Sequence, residues 1–491
     1  MSAGNKIGYA GIAGDNGAGK SYRIGVTKIM HRNMSTLKVR QEKALTEIRR
    51  QIHNASAAFY GLMVAALLFG ALKPAQAQLR AGAAKVSITP DVMAMSVPLG
   101  GYAARRGAPA TGVHDPVYAR ALMLQNGTVK VAVVSLDLCF LPTNVKDEVM
   151  KRVVAGGVNG MDSAHLFLSA THTHSAPDPL AMHSGNTFLN LKGWTPFNPK
   201  LLDFTAGKIA EVVIAADKNL TPAKIGSAVK NAVGLNRNRR GDPTVDPALT
   251  VVEVQKSDGS ALATIVNFAA HPTLYDDKML QISADWPGVM AADVETATSG
   301  APCLFLNGAE GDASPNGVDD AKGDAKVTVY GHKISAVVNA LLSTVKMDSP
   351  DAANLATWTT EVSLPPRKAN AMFYLAAGQL GATIAQAKEF VTGLMPATTQ
   401  FTFVRIGGLL LIGFPCEPSG DIGMAAKAAA RKAGFTTPCV VALTNGWLAY
   451  CLTPMQYKAG KYEAVMSFYG DGFGPALLTA LDTGLAQGGK Q

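Results

Sequence analysis

The sequence AHLFLSATHTHSAP, residues 164–177, places an apolar stretch directly before two histidines that lie two positions apart. The apolar part, residues 164–170, predicts a buried β-strand. Side chains at positions i and i+2 of an extended chain point to the same side, so His172 and His174 are expected to face one cleft. Neutral imidazole is a common zinc ligand, and a histidine beside a metal can move protons near neutral pH. The motif therefore indicates a metal site, with two polar residues that merely end a strand as the alternative.

The length and composition are those of a globular protein with a large core, because 48% of the 491 residues are hydrophobic. Extended and helical patterns alternate, and Asn126-Gly127 is a strong hairpin signal. Strands are predicted at 85–89, 117–124, 129–136, 164–170, 249–254, 262–269, 303–306 and 401–412, the last with a bend at Gly407-Gly408. Helices are predicted at 144–155, 200–216, 287–298, 327–344, 382–392, 418–433 and 475–485. These patterns predict the α/β class, with a single large mixed-sheet α/β domain over residues 78–491.

Residues 1–77 have the features of a leader that contains a signal peptide. Arg49-Arg50 form a basic flank, residues 57–72 an apolar core and residues 75–77 an A-x-A cleavage site. The apolar core is shorter than the roughly 20 residues that span a bilayer. We expect an exported protein, periplasmic or secreted, that begins near Gln78 and has no stable membrane insertion, with an uncleaved N-terminal anchor as the alternative. Met30 and Met34 are more usual start positions for such a signal, which leaves open whether residues 1–33 are translated.

Residues 14–21, GDNGAGKS, match the phosphate-binding pattern G-x-x-x-x-G-K-[ST]. Such a loop needs a buried strand before it and a long helix within a parallel sheet after it. Here an export signal follows instead, which argues against nucleotide binding.

Charge and cysteine content exclude further classes. The formal net charge is +9, yet residues 1–77 hold eleven Lys and Arg against three Asp and Glu, which leaves 34 against 33 in the remainder. A nearly neutral mature chain argues against a nucleic-acid partner. The five cysteines lack C-x-x-C spacing, which predicts mostly buried thiols and leaves a single disulfide after export open.

More polar motifs follow the ends of apolar strands, where loops converge on clefts. Each has a structural alternative: a hydrogen-bonded core histidine for His271, a first-turn helix carboxylate for Glu417 and core packing for Tyr450. The motifs are NFAAHPT with His271, SAD at 283–285, NGAEGDASPN at 307–316, GFPCEP with Glu417, NGWLAY with Tyr450, and Tyr462-Glu463.

Together these motifs resemble the catalytic domain of the neutral/alkaline ceramidase family, zinc amidases that cleave the N-acyl bond of ceramide. The similarity extends from about Arg80 to Gly470, and the histidine motif and GDASPN are its most specific parts. The segments that carry it, in the family's order, are AGAAKVSITP, TGVHDPVYARA, VVSLDL, LSATHTHSAP, GLNRNR, DPALTVVEV, NFAAHPT, ISAD, GDASPN, CEPSG, NGWLAYCLTP and KYEA.

The resemblance implies one Zn²⁺ per chain. The ligands that it implies are His172, His271, Glu417 and Tyr450, of which the tyrosine is the least usual because its phenol must ionise or bind through a neutral oxygen.

The resemblance also implies that His174 faces the reacting centre without binding zinc, and that Tyr462 and Arg237 bind the substrate, with Arg239 as the register alternative to Arg237. Ser314 corresponds to a family serine that matters for activity, and we expect a structural role for it.

The mechanism that follows is attack of a zinc-bound hydroxide on the acyl carbon, with His174 returning a proton to the leaving amine and Tyr462 stabilising the oxyanion. The expected substrate is a small-molecule or lipid amide, which would place the enzyme in sphingolipid metabolism.

The sequence departs from the family pattern at Asp178 and at Trp286-Pro287, and it is expected to lack the family's C-terminal immunoglobulin-like domain. Another amide or ester is therefore an alternative substrate. A zinc-binding protein without catalytic turnover is an alternative function. The oligomeric state is not determined by the sequence.

Overall fold

The computed structural model describes residues 23–70, 78–186, 195–348 and 354–489. Tertiary contacts divide the chain into two units, Met1–Gln76 and Ala77–Gln491. In the first unit one helix, α1 (Arg23–Gly70), includes most of the apolar segment assigned above to a signal peptide. The glycine loop at 14–21 and the cleavage site at 75–77 lie outside the described residues. In the described part of the chain, no helix is both long and apolar enough to cross a bilayer.

The second unit combines helices with strands of mixed direction. Its helices are α2 (Thr143–Ala155), α3 (Pro199–Lys218), α4 (Asp285–Ala297), α5 (Asp324–Leu342), α6 (Ala371–Gln379), α7 (Ile384–Leu394), α8 (Gly420–Lys432), α9 (Pro454–Lys458), α10 (Lys461–Val465) and α11 (Phe473–Gly488). Its strands are β1 (Arg80–Ser87), β2 (Gly112–Val113), β3 (Tyr118–Asn126), β4 (Val129–Leu136), β5 (Leu166–Ala170), β6 (Thr221–Asn231), β7 (Asn236–Asn238), β8 (Ala248–Lys256), β9 (Ala261–Phe268), β10 (Gln281–Ile282), β11 (Cys303–Asn307), β12 (Ala313–Pro315), β13 (Leu355–Ser363), β14 (Thr398–Ile406), β15 (Leu409–Gly413), β16 (Glu417–Pro418), β17 (Thr437–Val441) and β18 (Tyr450–Cys451).

Two sheets form the centre of this unit. The larger has eight strands in the order β11-β9-β8-β6-β1-β3-β4-β5, and the smaller has four in the order β13-β14-β15-β17. Both are mixed: β4 pairs parallel with β5 and antiparallel with β3, while β15 pairs parallel with β17 and antiparallel with β14. The mixed-sheet α/β class expected from the sequence is confirmed.

The alternation of side chains along the strands places one sheet against the other, with helices outside. On β4, Val131 and Val133 join a core shared with residues of the four-stranded sheet, whereas Ala132 and Val134 pack into a core with α2 and α3. On β15, Leu411 belongs to the shared core, and Leu410 faces the core that contains α8 and α11. A strand buried on both faces is apolar throughout, which explains the continuous hydrophobic runs of these segments.

Most predicted elements are present, but several strands were not predicted, among them β6, β13 and β17. The Asn126-Gly127 hairpin joins β3 to β4, but the first strand begins at Arg80 rather than at residue 85. Residues 401–412 do not form one bent strand. The chain reverses there, because Gly407 at φ 57° forms a turn between β14 and β15. The sequence also gave no sign of α6, and all five cysteines are buried free thiols.

Candidate metal centre

The two histidines of the THTH motif follow strand β5 rather than lying on it. β5 ends at Ala170, and His172 has a left-handed backbone with φ 75°. Its N–H bonds to the carbonyl of Leu138 at 2.9 Å, which helps to hold this costly conformation. His172 Nε2 and His174 Nε2 are 3.3 Å apart. The two rings therefore share one cleft as expected, but the extended-strand reasoning that predicted it was wrong.

The buried side chain of Asn307 connects the two histidine segments. Asn307 ends β11, and its Nδ2 donates to the carbonyls of Thr171 and Ala270, each at 3.1 Å. These carbonyls belong to the residues directly before His172 and His271. The amide thus holds together two segments that are distant in the sequence. No feature of the sequence predicted this role for Asn307.

Backbone carbonyls determine which nitrogen of each ring carries the proton. His172 Nδ1 lies 2.6 Å from the carbonyl oxygen of Cys139, and His271 Nδ1 lies 3.1 Å from that of Ala313. A carbonyl oxygen only accepts, so Nδ1 is the donor in both rings. Each Nε2 is then left with a lone pair, the arrangement found in histidines that bind metals.

Glu417 completes a cluster of three buried donor groups. Its Oε2 lies 3.4 Å from His172 Nε2 and 3.6 Å from His271 Nε2, and the three ligand atoms are all within 4.8 Å of one another. Oε1 accepts a 2.9 Å hydrogen bond from the indole of Trp447, whereas Oε2 has no hydrogen-bond partner among the described residues. The unpaired Oε2 of Glu417 and the Nε2 atoms of the two histidines together form a set of ligand atoms suited to a cation.

The charges of the cluster favour a cation between Glu417 and the two rings, either a proton on His172 or a metal ion in its place. Burial by itself would raise the pKa of Glu417, but His172 and His271 hold it well below its usual range, so the carboxylate is ionised. Burial and the nearby Arg239 lower the pKa of His271 to about 3, which keeps that ring neutral. Burial would also lower the pKa of His172, but the carboxylate of Glu417 raises it well above its usual range. Their separation of 3.4 Å is nevertheless longer than a charge-assisted hydrogen bond. Nitrogen and carboxylate donors suit zinc.

Tyr450 lies beside this cluster because of strand pairing. Glu417 on β16 is the parallel partner of Tyr450 on β18, and the Tyr450 hydroxyl is 3.4 Å from His271 Nε2. Burial and the charge of Glu417 raise the pKa of Tyr450 well above its usual range. Arg239 donates to the same hydroxyl at 3.0 Å, and its positive charge partly opposes that rise.

The structure places Arg239, and not Arg237, next to the cluster. Arg237 lies on β7 with an exposed side chain, and its substrate-binding role stays a prediction. Arg239 follows the end of β7 and is held by Glu463 at 2.8 Å and by the carbonyl of Gly311 at 2.9 Å. Of the three arginines in the sequence NRNRR, residues 236–240, only Arg239 donates to Tyr450.

His174 faces the open side of the cluster. Burial and the neighbouring His172 and His271 hold its pKa well below the usual value, so the ring is neutral. Tyr102 packs edge-on against it with ring centroids 4.8 Å apart. Gly101, with φ 92°, leaves no room for a side chain, since a Cβ there would lie 2.4 Å from His174 Cγ.

Ser314 lies on β12 opposite Arg237, half-buried, directly after the residue whose carbonyl orients the ring of His271.

A cavity of about 350 Å³ opens from the cluster, and one end of it is polar. His172, His174, Glu417 and Tyr450 line this end, and Tyr462 lies at the mouth with 58% of its surface exposed. The apolar wall comes from α6 and α7 and includes Phe373, Ala377, Leu380, Ala387 and Phe390. We call this space the reaction pocket. The sequence predicted α7, but α6 was missed although its segment AMFYLAAGQ carries no charge.

Comparison with known proteins identifies the family of this chain. Residues 79–329 match the model of the neutral/alkaline non-lysosomal ceramidase N-terminal family. The neutral ceramidase of Pseudomonas aeruginosa is 24% identical over 495 residues, covering 84% of this chain and 73% of the relative. That of Mycobacterium tuberculosis is 23% identical over 448 residues, covering 73% and 69%.

The fold is also that of a solved structure. The crystal structure of the Pseudomonas aeruginosa neutral ceramidase superposes with a TM-score of 0.69 at 20% identity, covering 84% of this chain and 75% of that one. Because the matched region spans more than half of the chain, this protein belongs to the neutral/alkaline non-lysosomal ceramidase family.

Proposed function

We propose that this protein is a zinc-dependent amidohydrolase that cleaves the N-acyl bond of ceramide or a closely related lipid amide. Family membership supports hydrolysis of an amide bond. The observation that carries the zinc requirement is the unpaired Oε2 of Glu417, which faces the Nε2 atoms of His172 and His271 at 3.4 and 3.6 Å.

His172, His271 and Glu417 would hold the zinc, with Tyr450 as fourth ligand. Three nitrogen and carboxylate ligands are the usual protein set of a catalytic zinc, and a phenol is the least usual of the four donors. When bound, zinc supplies Lewis acidity, which polarises a carbonyl and lowers the pKa of a bound water molecule to about 7.

The chain's own groups would handle the protons. We assign proton transfer to the leaving amine to His174, because a proton taken up transiently by a ring whose pKa is held well below the usual value is readily given to an amine. Expulsion of an unprotonated amine is the difficult part of amide cleavage. Protonation of the amine by His174 would therefore accelerate this step. Tyr462 at the mouth can donate a hydrogen bond from its hydroxyl to the developing oxyanion. Arg239 donates a 3.0 Å hydrogen bond to the hydroxyl of Tyr450 and holds it in place.

The shape of the reaction pocket supports a substrate with an apolar chain. Its polar end lies at the cluster, and α6 and α7 supply an uncharged wall with two phenylalanines. A buried apolar wall stabilises a bound hydrocarbon by about 0.8 kcal/mol for each CH₂ group removed from water. Asp178, where the sequence departs from the family, also lines this pocket, so another lipid amide or ester is the second candidate.

The test is hydrolysis by purified protein. A panel of ceramides with different acyl chains would be incubated with the zinc-loaded protein, with and without a chelator, and sphingoid base and fatty acid would be quantified by mass spectrometry. We expect release that stops on chelation and returns with zinc. Release that is indifferent to the chelator would refute the zinc requirement, and no release from zinc-loaded protein would refute ceramide as substrate.

We also propose that residues 1–77 direct export and that the hydrolase domain begins near Gln78. The basic flank, the apolar core and the A-x-A sequence support this proposal. N-terminal sequencing of the protein recovered outside the cytoplasm would give Gln78 or a neighbour as the first residue. A protein found only inside the cell with its leader intact would contradict it.

A further inference from the structure

A second cavity, of about 530 Å³, lies against the back of the reaction pocket. Phe140, Leu180 and Trp447 line both cavities and form the wall between them. The ring of Phe140 stacks on Trp447 with centroids 4.2 Å apart. Unlike the reaction pocket, the second cavity has many polar side chains, including Ser163, Thr392, Thr398, Thr399 and Gln400. We call it the rear cavity.

Lys146 is the notable group in this cavity. Its side chain lines the rear cavity, yet the residue is only 7% exposed. No hydrogen bond or ion pair joins its ammonium to any other described residue, whereas Lys151, in the same helix, pairs with Glu148 at 2.7 Å. The ammonium keeps some contact with the open space of the rear cavity, and an opposite charge there would offset the loss of the rest of its hydration.

The N-terminus of α2 also favours a negatively charged ligand in the rear cavity. The helix is capped by Pro142, which supplies no side-chain hydrogen bond, and Thr143 at its first position lines the rear cavity. The N–H of Val145 bonds to the Pro142 carbonyl at 3.0 Å, whereas the N–H groups of Thr143 and Asn144 have no acceptor within the helix and carry a partial positive charge. Lys146 stands three residues after Thr143, and residues at this spacing lie on the same face of a helix. A cation near the positive N-terminus of a helix is unfavourable unless an anion lies beside it.

We propose that the rear cavity binds a small oxyanion, a carboxylate or phosphate group, between the ammonium of Lys146 and the N-terminus of α2. The neutral hydroxyls and the amide in the cavity supply further donors. This site is separate from the metal cluster, and its existence does not depend on the proposed function.

Other charged groups restrict the ligand. Asp147 and Glu361 line the rear cavity with exposed side chains, and His183 lies there half-buried. The carboxylates oppose a highly charged anion, so a single carboxylate or phosphate group fits better than a polyphosphate. Burial lowers the pKa of Lys146 to about 8, so the ammonium is still charged at neutral pH.

The test compares three proteins at constant ionic strength: the wild type, Lys146→Met and the control Lys151→Met, which removes an exposed charge from the same helix. Sodium phosphate and sodium hexanoate are titrated separately by calorimetry at pH 7. The wild type and the control should bind at least one anion, and Lys146→Met should bind it about 10- to 100-fold more weakly. A preference for phosphate or for hexanoate identifies which oxyanion the site takes.

Two results would overturn the proposal. One is wild-type protein that binds neither anion, and the other is Lys146→Met with unchanged affinity. Methionine preserves the length of the side chain and removes an unpaired charge, so this variant should fold and melt at a higher temperature than the wild type without added anion. A second variant, Lys146→Arg, keeps the charge and should retain binding within about ten-fold.

Discussion

Trp447 donates its indole N–H to Glu417 Oε1 at 2.9 Å, while Oε2 of the same carboxylate faces His172 and His271. Trp447 also lines both the reaction pocket and the rear cavity. The tryptophan therefore orients a proposed metal ligand and at the same time separates two binding spaces.

Replacing Trp447 with phenylalanine should weaken zinc binding without unfolding the protein. The substitution keeps a ring to stack on Phe140 but removes the only hydrogen bond that orients Glu417 Oε1 among the described residues. Loss of such an outer-shell partner lowers metal affinity by about 10- to 100-fold. Competition with a fluorescent zinc chelator measures it. Trp358→Phe, which also loses one indole hydrogen bond, to Gly484, is the control and should bind zinc normally. Equal affinity in the two variants would contradict the role of Trp447.

His174→Ala and His271→Ala should fail in different ways. His271 Nε2 faces Glu417, so its removal should abolish stoichiometric zinc, as counted by mass spectrometry of the metal. His174→Ala should keep the zinc and lose about 10²- to 10⁴-fold in turnover, because only proton transfer is removed. Equal zinc loss in both variants would contradict this division of roles.

Arg239→Lys should reduce activity, whereas Arg237→Lys should not. The first substitution replaces a guanidinium that holds Glu463, the Gly311 carbonyl and the Tyr450 hydroxyl at once with a single ammonium. We expect kcat/KM to fall about 10- to 100-fold. Arg237 is exposed, so the matched change should leave kcat and KM near wild type. The reverse pattern would restore the assignment made from the sequence.

Lys146 should make stability depend on pH in the alkaline range. Burial lowers the pKa of Lys146 to about 8 in the folded protein, and the unfolded chain titrates at about 10.4. Between these values the unfolded state binds more protons, so the free energy of unfolding gains a rising contribution from this lysine as pH increases. Urea denaturation at several pH values should show Lys146→Met more stable than the wild type below pH 8, with the difference vanishing towards pH 10.5. A constant difference would contradict the shifted pKa of Lys146.

Removal of residues 1–77 should leave hydrolysis intact. The proposed ligands and proton-transfer groups all lie in the unit Ala77–Gln491, and the sequence motif GDNGAGKS lies before it. Protein 78–491 and the full chain would be compared for chelator-sensitive amide cleavage and for nucleotide hydrolysis. Loss of cleavage together with loss of nucleotide hydrolysis would favour the phosphate-binding loop instead.

Local patterns were sufficient for several elements. The strand over residues 129–136 follows from its apolar run, and Asn126-Gly127 correctly marks a hairpin, although Asn126 pairs with Val129 and the turn itself is Gly127-Thr128. The histidine motif was placed correctly at the end of a buried strand. Its geometry was not, since a left-handed residue at His172 depends on hydrogen bonds to the distant Leu138 segment.

The sequence by itself determined the α/β class, the candidate donor residues and the family resemblance, because each is encoded in residue type and short-range spacing. Only the tertiary structure placed Arg239 beside Tyr450, connected the segments before His172 and His271 through Asn307, and set the uncharged α6 along the reaction pocket. These relationships connect residues that lie more than a hundred positions apart in most cases. They depend on strand register and packing, which no local pattern records.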